Sequence, residues 1–119
     1  MTRAKRWFAA RLLSEDLHPS EPNAAPLFEE SIILLRARDA AEARARSEEM
    51  AARSETEYSN PDGHTVRWVF REVLEVQELV DDDIADGTEV YHALLGADEL
   101  AARRRALVPF EEAAPARSG

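Results

Sequence analysis

The sequence predicts an α+β fold: an antiparallel sheet of about four strands with one helix packed on a face, plus a C-terminal helix. Three observations lead to this prediction. Apolar and polar residues alternate along residues 66–80, which is typical of a strand with one covered face. Residues 40–54 consist almost entirely of strong helix formers. A Pro-Asp-Gly turn at residues 61–63 joins the long strand to a short one near residues 57–60.

Two strands are predicted before the helix. Residues 6–13 include Trp7, a bulky side chain that favours extended backbone. Residues 26–38 form the second strand, and the segment between the two is polar and contains prolines, which lack the amide hydrogen that a sheet needs. The middle of the second strand is apolar at successive positions. We therefore expect both of its faces to be covered, one of them by a partner subunit.

The helix at residues 40–54 has a predicted start and a predicted buried stripe. Asp39 has the side chain of an N-cap, and Glu42 follows at the spacing of a capping box. The least polar positions recur at helical spacing, and their small side chains allow a close approach to a sheet. These positions are Ala40, Ala43, Ser47, Met50, Ala51 and Ser54.

The long strand at residues 66–80 has the clearest pattern in the chain. Its polar set contains Arg67 and Arg71, and we expect Trp68 and Phe70 of its apolar set to anchor the core. Because this strand is long and Glu72 interrupts the apolar set, we expect a bend or bulge near Arg71 and Glu72. The apolar set is Val66, Trp68, Phe70, Leu74, Val76 and Val80.

The C-terminal part begins with an acidic loop at residues 81–87. Residues 88–95 are predicted to form either a last strand or an irregular segment. Residues 98–108 are predicted to form the terminal helix, with arginines in its last turns, where positive charge suits the helix dipole. We expect a single domain over residues 1–110 and a disordered tail over residues 111–119.

Composition excludes several classes of protein. The chain has 119 residues, no cysteine and a formal net charge of -9. A disulfide scaffold and thiolate metal sites are excluded, and the lack of cysteine fits the reducing cytoplasm, where we expect the protein to be located. The negative charge would repel a phosphate backbone, so no nucleic-acid partner is expected. No membrane partner is expected either, because apolar runs such as residues 32–35 are far shorter than the roughly 20 residues that span a bilayer.

Several short motifs follow one another in a distinctive order between residues 6 and 95. They are Trp7-Phe8-Ala9-Ala10-Arg11-Leu12-Leu13, Pro26-Leu27-Phe28-Glu29-Glu30-Ser31-Ile32, Tyr58-Ser59-Asn60, Val66-Arg67-Trp68-Val69-Phe70, Val73-Leu74-Glu75-Val76 and Asp86-Gly87-Thr88-Glu89-Val90-Tyr91. In this order they resemble a small bacterial family that is labelled domain of unknown function 4288. The resemblance implies a compact bacterial cytoplasmic domain. It transfers no catalytic role.

The acidic loop is the first candidate site, because Asp82, Asp83 and Asp86 supply the carboxylate oxygens that hard cations prefer. The EF-hand pattern can be aligned with its first position at Asp81 or at Asp82, and in both alignments an apolar residue occupies a ligand position. A solvated acidic turn is the simpler interpretation. A cation site of another kind stays open as the alternative.

Four other residues are candidates for a ligand site or an interface. Burial of Glu72 among apolar neighbours would raise the pKa of its carboxyl, whereas at a bend it would reach water or pair with an arginine. Tyr91 and His92 form the best polar cluster for a small-molecule pocket, although a polar strand end explains them more simply. Trp68 lies among arginines as in single-stranded nucleic-acid binders, yet the net charge favours a core position. No catalytic, cofactor-binding or metal-ligating residue is assigned.

The leading functional hypothesis is a non-enzymatic protein-interaction module that forms a homo-oligomer, most simply a C2 dimer. One helix with small side chains leaves part of an apolar sheet uncovered, and an exposed apolar patch marks an interface. A domain that binds a small molecule or a metal is the first alternative. An acidic inhibitor or immunity-type protein that caps a basic partner is the second. No cofactor is expected.

Overall fold

Three long strands and one helix form the body of the structure, a computed structural model that describes residues 4–17, 25–59, 61–63 and 65–113. The prediction of an α+β fold with an antiparallel sheet and two helices is confirmed. The elements in chain order are β1 (Arg6–Leu17), β2 (Leu27–Ala37), α1 (Ala40–Arg53), β3 (Thr56–Ser59), β4 (Thr65–Glu78) and α2 (Ala97–Ala113).

β1 runs through the centre of the sheet, whose order is β2-β1-β4-β3 with antiparallel pairing throughout. β1 and β2 pair without interruption, from Arg6 opposite Ala37 to Asp16 opposite Leu27. The short β3 pairs with β4 across the predicted turn, where Gly63 has a φ of 82° that side chains with a Cβ rarely allow. Within the described residues, β2 and β3 are therefore the edges of the sheet.

Two bulges in β4 determine which of its side chains face the helix. The pairing with β1 skips Leu74 and then, further toward the turn, Arg71. Each skipped residue moves the side chains beyond it to the other face, because neighbouring positions of a strand alternate. The predicted bend near Arg71 and Glu72 is present as the second of these bulges.

The bulges also correct the predicted apolar face of residues 66–80. Val73 is buried and belongs to the core, whereas Leu74 is half-buried and lies outside it. At the end of the strand Leu79 is buried and Val80 is 78 % exposed, the reverse of the predicted alternation. Trp68 is half-buried and does not anchor the core as predicted.

α1 begins at the predicted cap. Asp39 has extended backbone, and its Oδ1 accepts a hydrogen bond of 2.8 Å from the amide of Glu42. The carboxylate of Glu42 in turn accepts bonds from the amide of Arg38, at 3.3 Å, and from its guanidinium, at 2.6 Å. The bond from the Arg38 side chain lowers the pKa of the Glu42 carboxyl below its usual range. These hydrogen bonds join Arg38 and Asp39 to Glu42 in the first turn of α1, so they stabilise the turn that connects β2 to α1.

Small side chains bring α1 close to the sheet. Ala43, Ser47 and Ala51 are buried, as the predicted stripe requires, whereas Ala40 and Met50 at its margins are exposed. The core lies between this stripe and one half of the sheet. Its buried members are Phe8, Ala10, Leu12, Leu35, Ala37, Ala43, Ala51 and Val73, with Ile33, Phe70 and Val76 packed against them.

Two arginines of α1 bond to the backbone of the sheet. Arg44 Nη1 donates to the carbonyl of Val73 at 3.0 Å, directly beside the bulge at Leu74. Arg46 Nη1 donates to the carbonyl of Arg36 in β2. Because a bulge interrupts the ladder of backbone hydrogen bonds, a guanidinium at Val73 supplies a donor where the neighbouring strand is less well placed to do so.

Beyond β4 the chain is irregular before it forms α2. Residues 88–95 are not a strand, so the irregular alternative is the correct one. α2 ends later than the predicted residue 108, and its residues 97–105 are exposed. No helix of the described residues is long and apolar enough to span a bilayer. The domain limit at residue 110 and the tail at residues 111–119 stay predictions, since residues 114–119 lie outside the described part.

Replacement of Asp39 tests the cap of α1. Asp39→Ala removes the acceptor for the amide of Glu42, so the free energy of unfolding should fall by about 1 kcal/mol. Asp39→Ser keeps a capping oxygen and should lose only a few tenths of that amount. Urea unfolding of the two variants beside the wild type measures both values. Equal losses in the two variants would show that the cap does not stabilise this helix.

Candidate functional site

A cavity of about 280 Å³, here called the end cavity, lies on the helix-covered face of the sheet beyond the end of α1. A helix of 14 residues is about 21 Å long, whereas a strand of 14 residues is about 46 Å long. α1 therefore covers only part of the strands. The end cavity occupies the part that α1 leaves open.

The lining of the end cavity comes from four separate segments. It becomes more polar away from the core: on β1, Ser14 follows Leu12, and on β2, Ser31 and Glu29 precede Ile33 on the same face. The lining thus combines an apolar part next to the core with polar groups that could fix the orientation of a ligand. The lining residues are Leu12, Ser14, Glu29, Ser31, Ile33, Ala51, Ser54, Glu55, Trp68 and Phe70.

Two polar groups at the helix end of the cavity already have hydrogen bonds. The hydroxyl of Ser54 donates to the carbonyl of Ala51 at 2.9 Å. The Oε2 atom of Glu55 accepts from the amide of Phe70 at 3.0 Å. Ser54 has thus used its only hydrogen, and Glu55 is held by β4, so both present oxygen acceptors to the end cavity.

The opposite face of the sheet carries an ion cluster around Arg11. Its Nη1 lies 2.8 Å from Glu30 and its Nη2 lies 3.8 Å from Glu75. The guanidinium also lies 5.7 Å from the centre of the Tyr91 ring. The hydrogen bond to Glu30 raises the pKa of the Arg11 guanidinium further above its ordinary value. This cluster ties β2, β4 and the segment around Tyr91 to the central strand.

Tyr91 and His92 come together on this second face, but the space beside them is too small for a ligand. Gln77 Nε2 donates to the carbonyl of His92 at 2.7 Å, and the amide of His92 donates to Gln77 Oε1 at 3.3 Å. The adjoining cavity measures about 10 Å³, room for one water at most. His92 Nδ1 lies 3.4 Å from Glu89. These contacts hold the irregular segment against the sheet.

The acidic loop does not gather into a cation site. Asp82 lies 2.9 Å from Arg6 of β1, which gives it a structural partner. Asp83 and Asp86 are exposed. Within the described residues, no group of three histidine, aspartate or glutamate side chains is placed to hold a metal ion.

Glu72 lies on the face opposite α1 and is exposed, in register with Leu13. Glu72 therefore reaches water at the bend, which was one of the two expectations for this residue, and it is not buried. Glu72 thus lies on the other side of the sheet from the end cavity. Of the seven candidate residues, Trp68 lines the end cavity and the other six do not.

The residues that sequence reasoning missed are the serines and the two glutamates of the end cavity. Ser14, Ser31 and Ser54 come from three segments, so no spacing in the sequence connects them. The sequence does indicate that the adjacent Glu29 and Glu30 have different surroundings, because neighbouring residues of a strand face opposite sides. Glu29 accordingly lines the end cavity and Glu30 bonds Arg11.

Comparison with known proteins identifies the family. A family model described as "Domain of unknown function (DUF4288)" matches residues 7–92. The chain belongs to this family. The resemblance stated from the motifs is confirmed, and the matched part of this DUF4288 chain includes every residue of the end cavity and of the Arg11 cluster. No curated protein and no solved structure gives a significant match.

Replacement of Gln77 tests how the segment around His92 is held in this DUF4288 chain. Gln77→Met removes both bonds to the backbone of His92, which together contribute about 1 to 3 kcal/mol. The amide of His92 should then exchange with deuterium roughly 10 to 100 times faster. Arg67→Met, on the same strand and exposed, is the matched control and should leave this rate unchanged. An unaltered rate in Gln77→Met would mean that other contacts hold the segment.

Proposed function

We propose that this DUF4288 chain is a non-enzymatic protein-interaction module of the bacterial cytoplasm and that its partner is a second copy of itself. The observation that carries the proposal is the outer edge of β2, an 11-residue strand with large apolar side chains in solvent. The lack of cysteine supports the cytoplasmic location, since a reducing compartment does not favour disulfides.

β2 carries four large apolar side chains that are exposed. Leu27 and Phe28 are 55 % and 52 % exposed, and Ile32 and Leu34 are 43 % and 36 % exposed. Isolated exposed apolar residues are common, but Phe28, Ile32 and Leu34 lie on one face of this edge strand, the face opposite α1, and Ile32 and Leu34 are neighbours on it. A long edge strand without protection also pairs readily with another strand. Both properties support an interface along β2.

The charges of β2 favour a second copy as the occupant of this edge. Two copies can pair antiparallel about a twofold axis at Ile33, which places Glu30 of each copy opposite Arg36 of the other. The same register places Ile32 opposite Leu34, so apolar side chains meet across the pair. A shift by two residues in either direction would instead place Arg36 opposite an apolar side chain, Phe28 or Ile32.

The contacts of the candidate residues support a role without catalysis. Tyr91 lies beneath Arg11, His92 is bonded through its backbone to Gln77, and Asp82 pairs with Arg6. Each of these groups fastens one segment of the chain to another. None is brought into the end cavity.

Introduction of charge at Ile32 tests self-association. The wild type should sediment at twice the mass of the chain at micromolar concentration. Ile32→Lys places an ammonium at the centre of the pair and should give the mass of a single chain. Val80→Lys changes an apolar residue that is 78 % exposed and lies outside β2, so it should remain dimeric. A wild type that sediments as one chain at high micromolar concentration would overturn the proposal.

Substitution of Arg36 tests the register of the pair. Arg36→Glu would place two carboxylates opposite each other and should weaken the dimer more than the neutral Arg36→Gln does. Sedimentation equilibrium of both variants gives the two dissociation constants. Equal constants would contradict the register about Ile33, because Arg36 would then not face a carboxylate.

A further inference from the structure

We infer that the end cavity binds a small organic cation that carries an apolar group, an amine of the arylethylamine kind. The inference is independent of self-association, since the cavity lies on the face of the sheet that α1 covers, whereas the proposed interface is the outer edge of β2. Charge, hydrogen-bond polarity and aromatic lining each point to the same class of ligand.

The charge of the described residues that line the cavity is negative. Glu29 and Glu55 contribute two carboxylates from opposite sides, one from β2 and one from the residues after α1. Among the described residues that line the cavity, none is arginine, lysine or histidine. On the opposite face, by contrast, Arg11 lies between Glu30 and Glu75. A cation is therefore the charge that the end cavity attracts.

The hydrogen-bonding groups of the cavity are mainly acceptors. Ser54 has donated its hydrogen to Ala51, and the carboxylates of Glu29 and Glu55 have none to donate when ionised. The hydroxyls of Ser14 and Ser31 can rotate to accept as well. An ammonium group supplies three donors and no acceptor, which complements this set.

The aromatic and aliphatic residues suit the remainder of such a ligand. Trp68 is half-buried at the cavity, and Phe70 lies beside it on the same face of β4. An indole face attracts a cation more strongly than other aromatic faces do. Leu12 and Ile33 form an apolar surface next to the core. A volume of about 280 Å³ lies at the lower end of ligand cavities, which limits the ligand to a small molecule.

Fluorescence of Trp68 measures binding directly. The chain has two tryptophans, and Trp7→Phe removes the other one while keeping an aromatic ring next to Arg36. Phenethylamine should change the emission of Trp68 in a saturable way. Phenethyl alcohol, which is neutral, and phenylacetate, which is anionic, should each bind at least about tenfold more weakly. Equal binding of the alcohol would overturn the inference in favour of a neutral polar ligand, and no saturable change with phenethylamine would overturn it outright.

Charge-neutral variants locate the site. Glu29→Gln and Glu55→Gln should each weaken phenethylamine at least about tenfold, since a bond to a charged group is lost in each. Glu30→Gln is the matched control, because Glu30 is the next residue but lies on the opposite face, and its affinity should match the wild type. A loss in Glu30→Gln equal to that in Glu29→Gln would contradict the site. Binding should persist in Ile32→Lys, so failure of self-association leaves this result unaffected.

Discussion

A helix rises about 1.5 Å per residue and a strand about 3.3 Å, so the 14 residues of α1 cannot cover the 14 residues of β4. Close packing is reached only where Ala43, Ser47 and Ala51 meet the sheet, and the core is confined to that part. Where the helix ends, the same face changes from apolar to polar side chains on β1 and β2, whereas β4 continues with Phe70 and Trp68. The end cavity is thus a direct consequence of pairing a short helix with long strands.

The second face of the sheet is covered by other means. Arg11 connects Glu30, Glu75 and the ring of Tyr91, and Gln77 binds the backbone of the irregular segment. Polar contacts of this kind fix a segment in place but bury less apolar surface than a helix does. The apolar residues of β2 on this side, Phe28, Ile32 and Leu34, therefore stay exposed.

The sequence predicted the elements better than the faces of the sheet. Asp39 and the alanine-rich segment located α1, and alternation located β4, because both patterns are local. The bulge at Leu74 could not be predicted, since Val73 and Leu74 are both apolar and either can fill the core. Trp68 lies on the predicted face of β4, but it lies beyond the end of α1, so it lines the end cavity and not the core. The mismatch in length between helix and strand was already present in the predicted elements, but the position of the helix along the strands depends on contacts distant in sequence.

β2 connects the two proposals physically. In the pair about Ile33, Glu29 of one copy lies opposite Ala37 of the other, just before the start of α1 in the second copy. Because the twofold axis of the proposed pair would be perpendicular to the sheet, both end cavities would lie on the same side of the joined sheets. The end cavity lies on the face of the sheet that α1 covers, whereas the proposed interface is the outer edge of β2, so the two proposals can be tested separately.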